Sequence, residues 1–431
     1  MPKTVAFTTL GCKVNQYDTQ AMLEAFERRG YQVLASNAPA DVYVINTCTV
    51  TGTGDKKSMQ LIRRCGRRSP GAEVVITGCL AQRMGESLRD TGARLILGTQ
   101  YRARVVELLE KAIAENTQLV AVDALEAAPY EPLSIHSHEG HTRAVMKIQE
   151  GCDNRCTYCI IPSVRGKVRS RPLASIREEA ASLGEAGFCE LVLTGIHLTS
   201  YGRDLPEKPT LAQAIREVCE CKGVARVRLG SLEPSVASEG FVREISSLAQ
   251  LCPQFHLALQ SGSDAVLQRM KRRYSTAQFV AAVDRLRTAY PDAAFTTDVI
   301  VGFPGETEEE FVQTLSFCEK IGFMKLHVFP FSPREGTPAA EMPDQLPQGV
   351  KESRVRRLIA LGDELSRRYR ERLLGTEREV LFEECAPSGA MVGFTPEYVH
   401  VSAQGAKPGQ LARVRLTALT TEGITGMIVE S

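Results

Sequence analysis

Three cysteines stand close together in the segment Gly151-Cys152-Asp153-Asn154-Arg155-Cys156-Thr157-Tyr158-Cys159, directly after a run of strand-forming residues. Three thiolates on one short loop can bind three irons of a [4Fe–4S] cluster and leave the fourth iron open to another ligand. A structural zinc ion needs a fourth ligand, and the next cysteine, Cys189, follows only after a predicted helix. The spacing therefore favours an iron–sulfur cluster with a reactive iron over a zinc site.

A second set of three cysteines is dispersed through the N-terminal part of the chain. Cys12, Cys48 and Cys79 each follow a short apolar run that is typical of a buried parallel strand. Because the carboxyl ends of parallel strands meet at one crevice, these thiols are predicted to converge there. The alternative is that they are buried core residues, as free cysteines often are. The other cysteines lack this placement and are expected to be packing residues: Cys65, Cys189, Cys219, Cys221, Cys252, Cys318 and Cys385.

Length and composition are those of a multidomain cytoplasmic protein. The chain has 431 residues, a net charge of +1 and 13 cysteines. The cysteine number is odd and no signal peptide opens the sequence, so we expect reduced thiols and a cytoplasmic location. No apolar run approaches the ~20 residues of a membrane helix, so no membrane association is expected. At roughly 150 residues per domain, the length allows about three domains.

Residues 1–120 are predicted to form a doubly wound domain with a parallel sheet. Apolar strands alternate there with amphipathic helices, which is typical of a sheet covered on both faces. The predicted strands are Val5–Thr8, Asp41–Asn46, Glu73–Thr77 and Arg94–Leu97, and the predicted helices are Asn15–Arg29, Lys56–Arg64 and Arg102–Glu115. Residues 121–142 lose this order and are expected to be a solvated linker. Three histidines lie in it, but no cysteine or paired carboxylate joins them to form a metal site.

Residues 143–374 are predicted to form six strand–helix units, arranged as a partial TIM barrel and followed by a basic helix over 347–374. The predicted strands are Ala144–Gln149, Glu190–Thr194, Arg226–Leu229, Phe255–Leu259, Phe295–Val301 and Lys325–Phe329, and the predicted helices include Ser175–Gly187, Leu211–Val218 and Thr307–Ile321. Residues 375–431 contain short β-rich runs separated by Pro and Gly turns, which predicts a small all-β barrel.

The cysteine loop at 152–159 resembles that of the radical S-adenosylmethionine superfamily. Cys12, Cys48 and Cys79 ahead of it resemble the methylthiotransferase family, and residues 375–431 resemble the TRAM domain, an RNA-binding barrel. The resemblance implies a transferase with two [4Fe–4S] clusters, one on each cysteine set, and with S-adenosyl-L-methionine on the open iron of the loop cluster. It also implies tRNA as the substrate, a reductant such as flavodoxin or ferredoxin, and no role for DNA.

Further segments resemble the superfamily at the ends of predicted barrel strands. Thr194-Gly195-Ile196-His197 occupies the place where the superfamily holds the amino group of the cofactor, and the segments after the later strands resemble further walls of that pocket. Beyond the cysteines, the residues implied to bind the cofactor are Tyr158, Thr194, Gly195, Ser231, Glu233, Gln260 and Gly302. His197 is expected to be packed or hydrogen-bonded and not a ligand.

Two segments are most similar to the branch of the family that modifies threonylcarbamoyladenosine. They are Thr9-Leu10-Gly11-Cys12-Lys13-Val14-Asn15-Gln16 and Ser231-Leu232-Glu233-Pro234. This similarity implies conversion of N6-threonylcarbamoyladenosine at position 37 of the tRNA anticodon loop to its 2-methylthio derivative. Methylthiolation of isopentenyladenosine in tRNA, or of a ribosomal-protein aspartate, uses the same chemistry and remains an alternative. A non-catalytic zinc protein that binds RNA is a more remote alternative.

Clusters of basic residues are candidates for contacts with RNA phosphates. They are Arg63, Arg64, Arg67 and Arg68; Arg165, Lys167, Arg169 and Arg171; and Arg269, Lys271, Arg272 and Arg273. Each cluster is equally compatible with a solvated helix face. Since RNA recognition targets splayed bases, the target adenine is expected to enter the mouth of the barrel.

Overall fold

The structure is a computed structural model that describes residues 3–69, 71–126, 128–138 and 140–429, without the side chains of residues 66–68. Its N-terminal part contains strands β1 (Thr4–Thr9), β2 (Gln32–Leu34), β3 (Val42–Thr47), β4 (Glu73–Gly78), β5 (Leu95–Leu97) and β6 (Leu119–Ala121), and helices α1 (Lys13–Arg28), α2 (Gly52–Arg68), α3 (Cys79–Met84) and α4 (Val105–Ala114). The strands form one parallel sheet in the order β2-β1-β3-β4-β5-β6. Separate apolar cores cover its two faces, one with Phe26 and Leu109 and the other with Ile62 and Leu88, so the sheet is doubly wound.

The central part is a parallel barrel that remains open on one side. Its strands are β7 (Arg143–Glu150), β8 (Arg169–Ser170), β9 (Glu190–Gly195), β10 (Arg226–Leu229), β11 (Gln254–His256), β12 (Ala294–Val301) and β13 (Lys325–Pro330). All are parallel except the two-residue β8, which pairs antiparallel with the end of β7. The parallel runs β7-β9-β10 and β11-β12-β13 are joined by bridges from Val227 to Leu251 and from Leu232 to Leu257. Within the described residues, no pairing joins β13 to β7, so the barrel is partial.

Helices surround this barrel and connect it to the last domain. They are α5 (Ile161–Arg165), α6 (Leu173–Glu185), α7 (Leu211–Cys219), α8 (Glu239–Ser246), α9 (Asp264–Arg269), α10 (Thr276–Ala289), α11 (Glu308–Ile321), α12 (Pro338–Glu341) and α13 (Gln348–Glu371). Capping boxes begin α7, α10 and α11, where a Ser or Thr side chain and a Gln or Glu three residues later satisfy free backbone N–H groups. Local sequence thus determines where these outer helices begin.

A closed five-stranded barrel ends the chain. Its strands are β14 (Glu377–Cys385), β15 (Met391–Phe394), β16 (His400–Ala403), β17 (Leu411–Leu419) and β18 (Ile424–Ile428), closed in the order β14-β15-β16-β18-β17. Arg226 and Arg228 of β10 donate hydrogen bonds to backbone carbonyls of this barrel, and the Arg228 guanidinium lies 4.6 Å from the Tyr398 ring centroid. The small barrel therefore docks at the end of the partial barrel where β7, β9 and β10 begin.

The predicted fold class is confirmed, with some corrections of detail. Where a strand was predicted over Phe255–Leu259, the structure has the shorter strand β11 at 254–256. The short strands β2 and β6 were not predicted. The segment expected to be a solvated linker packs onto the fold, since Leu133 and Ile135 are buried and Tyr17 donates a 2.7 Å hydrogen bond to the carbonyl of Leu133. Ala127 and Glu139 of that segment lie outside the described residues.

Candidate functional site

Cys12, Cys48 and Cys79 lie at the carboxyl ends of three neighbouring parallel strands. Cys12 precedes α1, Cys48 directly follows β3, and Cys79 begins α3 directly after β4. A Cβ atom added to Gly11 would lie 3.2 Å from Sγ of Cys48. The thiols of Cys12 and Cys48 also act electrostatically on that of Cys79, so the three lie near one another. We call them the first thiol set.

The backbone between β4 and α3 depends on a glycine. Gly78 has a φ of 96°, which side-chain-bearing residues rarely adopt. A Cβ atom there would lie 2.4 Å from Oδ1 of Asn46 and 2.5 Å from the carbonyl oxygen of Thr47. The missing side chain therefore allows the chain to turn directly from β4 into Cys79.

Cys152, Cys156 and Cys159 lie on the loop that follows β7, and we call them the second thiol set. The N–H of Cys152 donates to the carbonyl of Gly166 at 2.9 Å, and that of Cys159 donates to the carbonyl of Cys156 at 3.1 Å. Gly151 has a φ of 71°, and a Cβ atom there would lie 1.8 Å from the carbonyl oxygen of Lys167. The loop is thus folded tightly against the segment after α5.

The thiols of both sets have the chemistry of metal ligands. Burial raises the pKa of Cys79 to about 11, that of Cys152 to about 11 and that of Cys159 to about 12. Such thiols are protonated at neutral pH, and a bound metal ion is what converts a thiol into a thiolate ligand. Within the described residues, no three His, Cys, Asp or Glu side chains are grouped as ligands of a single metal ion. A cubane cluster takes each thiolate on a different iron, so its ligands are spread more widely than those of a single ion, and three cysteines per set is the donor number that leaves one iron open.

A buried arginine contacts the second thiol set. Nη1 of Arg272 donates to Sγ of Cys156 at 3.1 Å, and Nη2 donates to Oε1 of Glu233 at 2.6 Å. Glu233 also accepts from Asn154 of the loop at 3.0 Å and lies 3.2 Å from Nε2 of His197. Burial favours the neutral carboxyl, but His197 and Arg272 outweigh it and hold the pKa of Glu233 below its usual value. An ionised Glu233 therefore orients Arg272 towards the thiol.

A second buried arginine contacts the first thiol set. Nε of Arg165 donates to Sγ of Cys79 at 3.1 Å, and Nη1 donates to Glu150 at 2.9 Å and to Asp18 at 3.1 Å. Asp18 accepts further hydrogen bonds from Arg102 and Lys147. These side chains are at most 3% exposed, so they form an ion network between the N-terminal sheet and the partial barrel.

The short helix α5 links the two thiol sets. It begins two residues after Cys159, and it ends at Arg165, which contacts Cys79. Cys79 also packs with Ile160 and Val164 in a small apolar cluster. Beside this junction lies an open groove of about 1580 Å³, with Arg63 and Arg64 among its lining residues. The structure therefore brings the two thiol sets to one region, next to a large accessible space.

The other predicted cofactor residues surround the same end of the partial barrel. Thr194 and Gly195 end β9, Ser231 and Glu233 follow β10, and Gly302 follows β12. Gln260 has a φ of 66°, which is uncommon for a residue with a side chain and marks a constrained backbone beside β12. Tyr158 packs against the apolar cluster that contains Phe303 and Phe331. His197 hydrogen-bonds Ser200 at 2.6 Å and is paired with Glu233, as expected for a packed histidine.

The basic clusters were candidates for RNA contacts, and the structure removes several of their members from consideration. Arg165, Arg169 and Arg171 are buried, and Arg171 is paired with Glu179 inside the fold. Arg272 of another cluster is held beside Cys156. Arg63 and Arg64 are exposed, whereas the side chains of Arg67 and Arg68 lie outside the described residues. Sequence reasoning thus missed the two arginines that contact the thiols. The only signal was the position of Arg165 shortly after the cysteine loop.

Two family models match separate parts of the chain. Residues 4–98 match the family described as Uncharacterized protein family UPF0004, and residues 146–318 match the Radical SAM superfamily. The radical SAM enzyme TsrM from Kitasatospora setae superposes with a TM-score of 0.59 at 16% identity, over 79% of this chain and 77% of that one. The partial barrel with its cysteine loop is thus a radical SAM domain.

Relatives that match almost the whole chain identify its family more narrowly than the superfamily match does. The chain is 41% identical to "Threonylcarbamoyladenosine tRNA methylthiotransferase MtaB" of Bacillus subtilis, over 96% of this chain and 93% of that protein. It is 38% identical to the protein of the same name from Thermotoga maritima, over 98% and 96%. It is 36% identical to "tRNA-2-methylthio-N(6)-dimethylallyladenosine synthase" of Acidothermus cellulolyticus, over 96% and 86%. The chain belongs to the radical SAM methylthiotransferase family.

None of the helices in the described part of the chain combines the length and the apolar character that crossing a bilayer requires.

Proposed function

We propose that this chain is a tRNA methylthiotransferase that converts N6-threonylcarbamoyladenosine at position 37 to its 2-methylthio derivative. The observation that carries the proposal is the match over 96–98% of the chain to relatives named for that activity. Relatives named for the dimethylallyladenosine reaction match at lower identity, 36% and 33%. Modification of threonylcarbamoyladenosine is therefore favoured over that of isopentenyladenosine.

We assign one [4Fe–4S] cluster to each thiol set, and S-adenosyl-L-methionine to the second. Bound there, these groups would supply the electron, the adenosyl radical and the sulfur for substitution at C2 of the adenine, and a second molecule of S-adenosyl-L-methionine would supply the methyl group. Tyr158, Thr194, Gly195, Ser231, Gln260 and Gly302 are the proposed walls of the S-adenosyl-L-methionine pocket, together with Glu233. Their position at the carboxyl ends of the barrel strands supports this assignment, because barrel enzymes place their sites at that end.

The protein's own side chains position and stabilise the reactive thiolates. Arg272 and Arg165 each direct an N–H group at one thiol sulfur, and a positive charge so placed stabilises the thiolate form. Glu233 orients Arg272, and Asn154 ties the cysteine loop to Glu233. Cys79, Cys152 and Cys156 are buried, which keeps water away from these three thiols, whereas Cys12 is exposed.

We infer that tRNA approaches across the groove between the N-terminal sheet and the partial barrel. Exposed Arg63 and Arg64 line this groove and are suited to phosphate contacts. The closed C-terminal barrel is the proposed TRAM module. The proposed division of the whole chain is an N-terminal domain (1–120), a linker (121–142), a radical SAM core (143–374) and the TRAM module (375–431). A flavodoxin or ferredoxin is the proposed reductant, and the cytoplasm is the proposed location.

The test combines nucleoside analysis with two matched cysteine variants. Mass analysis of tRNA from cells lacking the gene should show unconverted N6-threonylcarbamoyladenosine. Cys156→Ala should abolish cleavage of S-adenosyl-L-methionine, whereas Cys48→Ala should retain cleavage and lose sulfur insertion. Methylthiolated product from the Cys48 variant would contradict the division of roles. Unchanged tRNA with an unmodified ribosomal aspartate would instead favour the protein-directed alternative, and zinc in place of iron would favour the non-catalytic one.

A further inference from the structure

The inner face of the open barrel carries a column of polar and aromatic side chains. Lys325, His327 and Phe329 alternate along β13 and therefore point to the same side of the sheet. His327 is the register partner of Asp298 on β12, and its ring centroid lies 5.8 Å from that of His256. Nε2 of His256 lies 3.3 Å from Oδ2 of Asp298. These side chains therefore face the interior of the barrel beside its open edge.

A lysine from the N-terminal domain reaches the same opening. Lys13, the first residue of α1, interacts electrostatically with His327 on the last barrel strand. Its other electrostatic partners are Tyr398 of the small C-terminal barrel, and Arg228, Arg143 and Glu190 on β10, β7 and β9. Because its partners lie on both edges of the open barrel, the ammonium group of Lys13 stands at the gap between β7 and β13.

Two lysines at this opening lie outside the direct ion pairs of the described residues. Arg143 and Arg228 share the carboxylate of Glu190, and His256 is paired with Asp298. Lys13 and Lys325 are exposed, and in the part of the chain that the structure describes neither side chain forms an ion pair or hydrogen bond. Two cations that share a partly enclosed opening favour an anionic ligand there.

An aromatic ring stands further along the same face. Phe329 is 47% exposed, which is unusual for a phenylalanine on a barrel strand. Exposed aromatic rings of this kind stack on unpaired nucleobases. Phe329 lies four residues from Lys325, or about 13 Å along the strand. It is the member of the column nearest the strand ends that carry the proposed cofactor pocket.

We propose that this face binds the modified base itself, with Phe329 stacked on the adenine and with Lys13 and Lys325 bound to the carboxylate of its N6 amino-acid substituent. The proposal rests on the proposed function and adds the substrate group that these residues recognise. A carbamoyl-linked amino acid carries a negative charge several bonds away from the ring, where the lysine side chains reach it. An isopentenyl group carries no charge, so the two lysines would select against it.

Binding measurements with anticodon stem-loop RNAs test this proposal. The anaerobically reconstituted full chain is titrated with two hairpins that differ only in carrying N6-threonylcarbamoyladenosine or plain adenosine at position 37. The variants are Lys13→Ala, Lys13→Arg and Lys325→Ala. Lys320→Ala is the control, because Lys320 is an exposed lysine on the outer helix α11. Because Lys13 is next to Cys12, the iron content and absorbance of its variants are measured to check that the clusters remain loaded. Lys325→Ala tests the same site from β13, away from the cysteines.

The wild type should bind the modified hairpin more tightly than the plain one. Lys13→Ala and Lys325→Ala should each reduce this preference about tenfold, because each removes a charged hydrogen-bond donor to the carboxylate. Their Kd for the plain hairpin should not change, Lys13→Arg should restore the preference, and Lys320→Ala should change neither Kd.

Several outcomes would overturn the inference. Equal loss of affinity for both hairpins would mean that the lysines contact an RNA phosphate, and unchanged affinities would mean that they contact neither group. A wild-type enzyme that methylthiolates the modified hairpin without preferring it in binding would refute the carboxylate site while leaving the proposed function intact. If it neither prefers nor methylthiolates that hairpin, the proposed function itself fails.

Discussion

Asp18→Asn is the substitution that tests the buried ion network most directly. Asp18 accepts hydrogen bonds from Arg102, Lys147 and Arg165, and it is almost completely buried. Burial alone would raise the pKa of this carboxyl, but the three cations outweigh it and hold the pKa below its usual value. Asparagine keeps the shape of the side chain and removes its charge. The variant therefore isolates the electrostatic contribution of one carboxylate.

The expected magnitude follows from the balance of charges. The three cations face the carboxylates of Asp18, Glu150 and Glu131 in the native network. The variant leaves one buried cation uncompensated, and removing one member of a buried ion pair costs about 3–5 kcal/mol. For a cooperative unit of roughly 150–250 residues, that loss lowers the thermal midpoint by about 6–20 °C.

Differential scanning calorimetry of the anaerobically reconstituted protein, at one fixed scan rate, provides the measurement. Glu107→Gln is the matched control, because Glu107 forms an ion pair of 2.6 Å with Arg104 in which both side chains are more than half exposed. Solvent screens such a pair, so its loss should leave the midpoint close to that of the wild type. If Asp18→Asn melted within a degree or two of Glu107→Gln, the network would not hold the two domains together as argued.

Three further predictions concern the thiol loops and acid stability. Arg272→Gln should make the reduction potential of the second-set cluster more negative by about 60 mV or more in an EPR-monitored titration, because it removes a cationic donor to a thiolate, and an unchanged potential would contradict this role. Gly78→Ala and Gly151→Ala should each lower the iron content from about eight to about four per chain. Gly240→Ala, whose Cβ meets nothing within 4 Å, should retain all of it, and full loading of either loop variant would refute the steric argument. Burial lowers the pKa of His138 to about 4. In the unfolded chain His138 has its ordinary pKa of about 6.5, so on acidification it is protonated there before it is protonated in the folded protein. Acidification from about pH 7.5 to about pH 5 should therefore reduce the free energy of unfolding by about 2 kcal/mol. In urea titrations, His138→Gln should lose less of its free energy of unfolding over the same pH range.

The sequence predicts the placement of the thiols well, because that placement depends on local patterns. A buried strand followed by a cysteine puts the thiol at the carboxyl end of the strand, as the structure shows for Cys48 and Cys79. Outer helices such as α11 were predictable for the same reason, since their caps and apolar spacing lie within a few residues. The segment at 121–142 was mispredicted because its polar composition hides two apolar residues that pack on helices far away in sequence.

The side chains that contact the thiols could not be predicted in this way. Arg165 is 86 residues from Cys79 in sequence, and Arg272 is 116 residues from Cys156. In the sequence both arginines stand among other basic residues, which is also the pattern of a surface that binds RNA. What separates the two roles is a buried carboxylate partner, Glu150 for Arg165 and Glu233 for Arg272. Such partners are brought together only by the tertiary fold.

The length of helix α5 limits which insertions and deletions this chain can tolerate. Arg165 is the sixth residue after Cys159, and the last five of these six residues form the helix. One inserted residue would rotate Arg165 by about 100° and shift it by about 1.5 Å, which would carry its guanidinium away from Cys79. The length of this helix therefore fixes the spacing between Cys159 of the second thiol set and the arginine that contacts the first. Insertions and deletions should be tolerated on the outer helices of the barrel but not in this interval, even where every cysteine is retained.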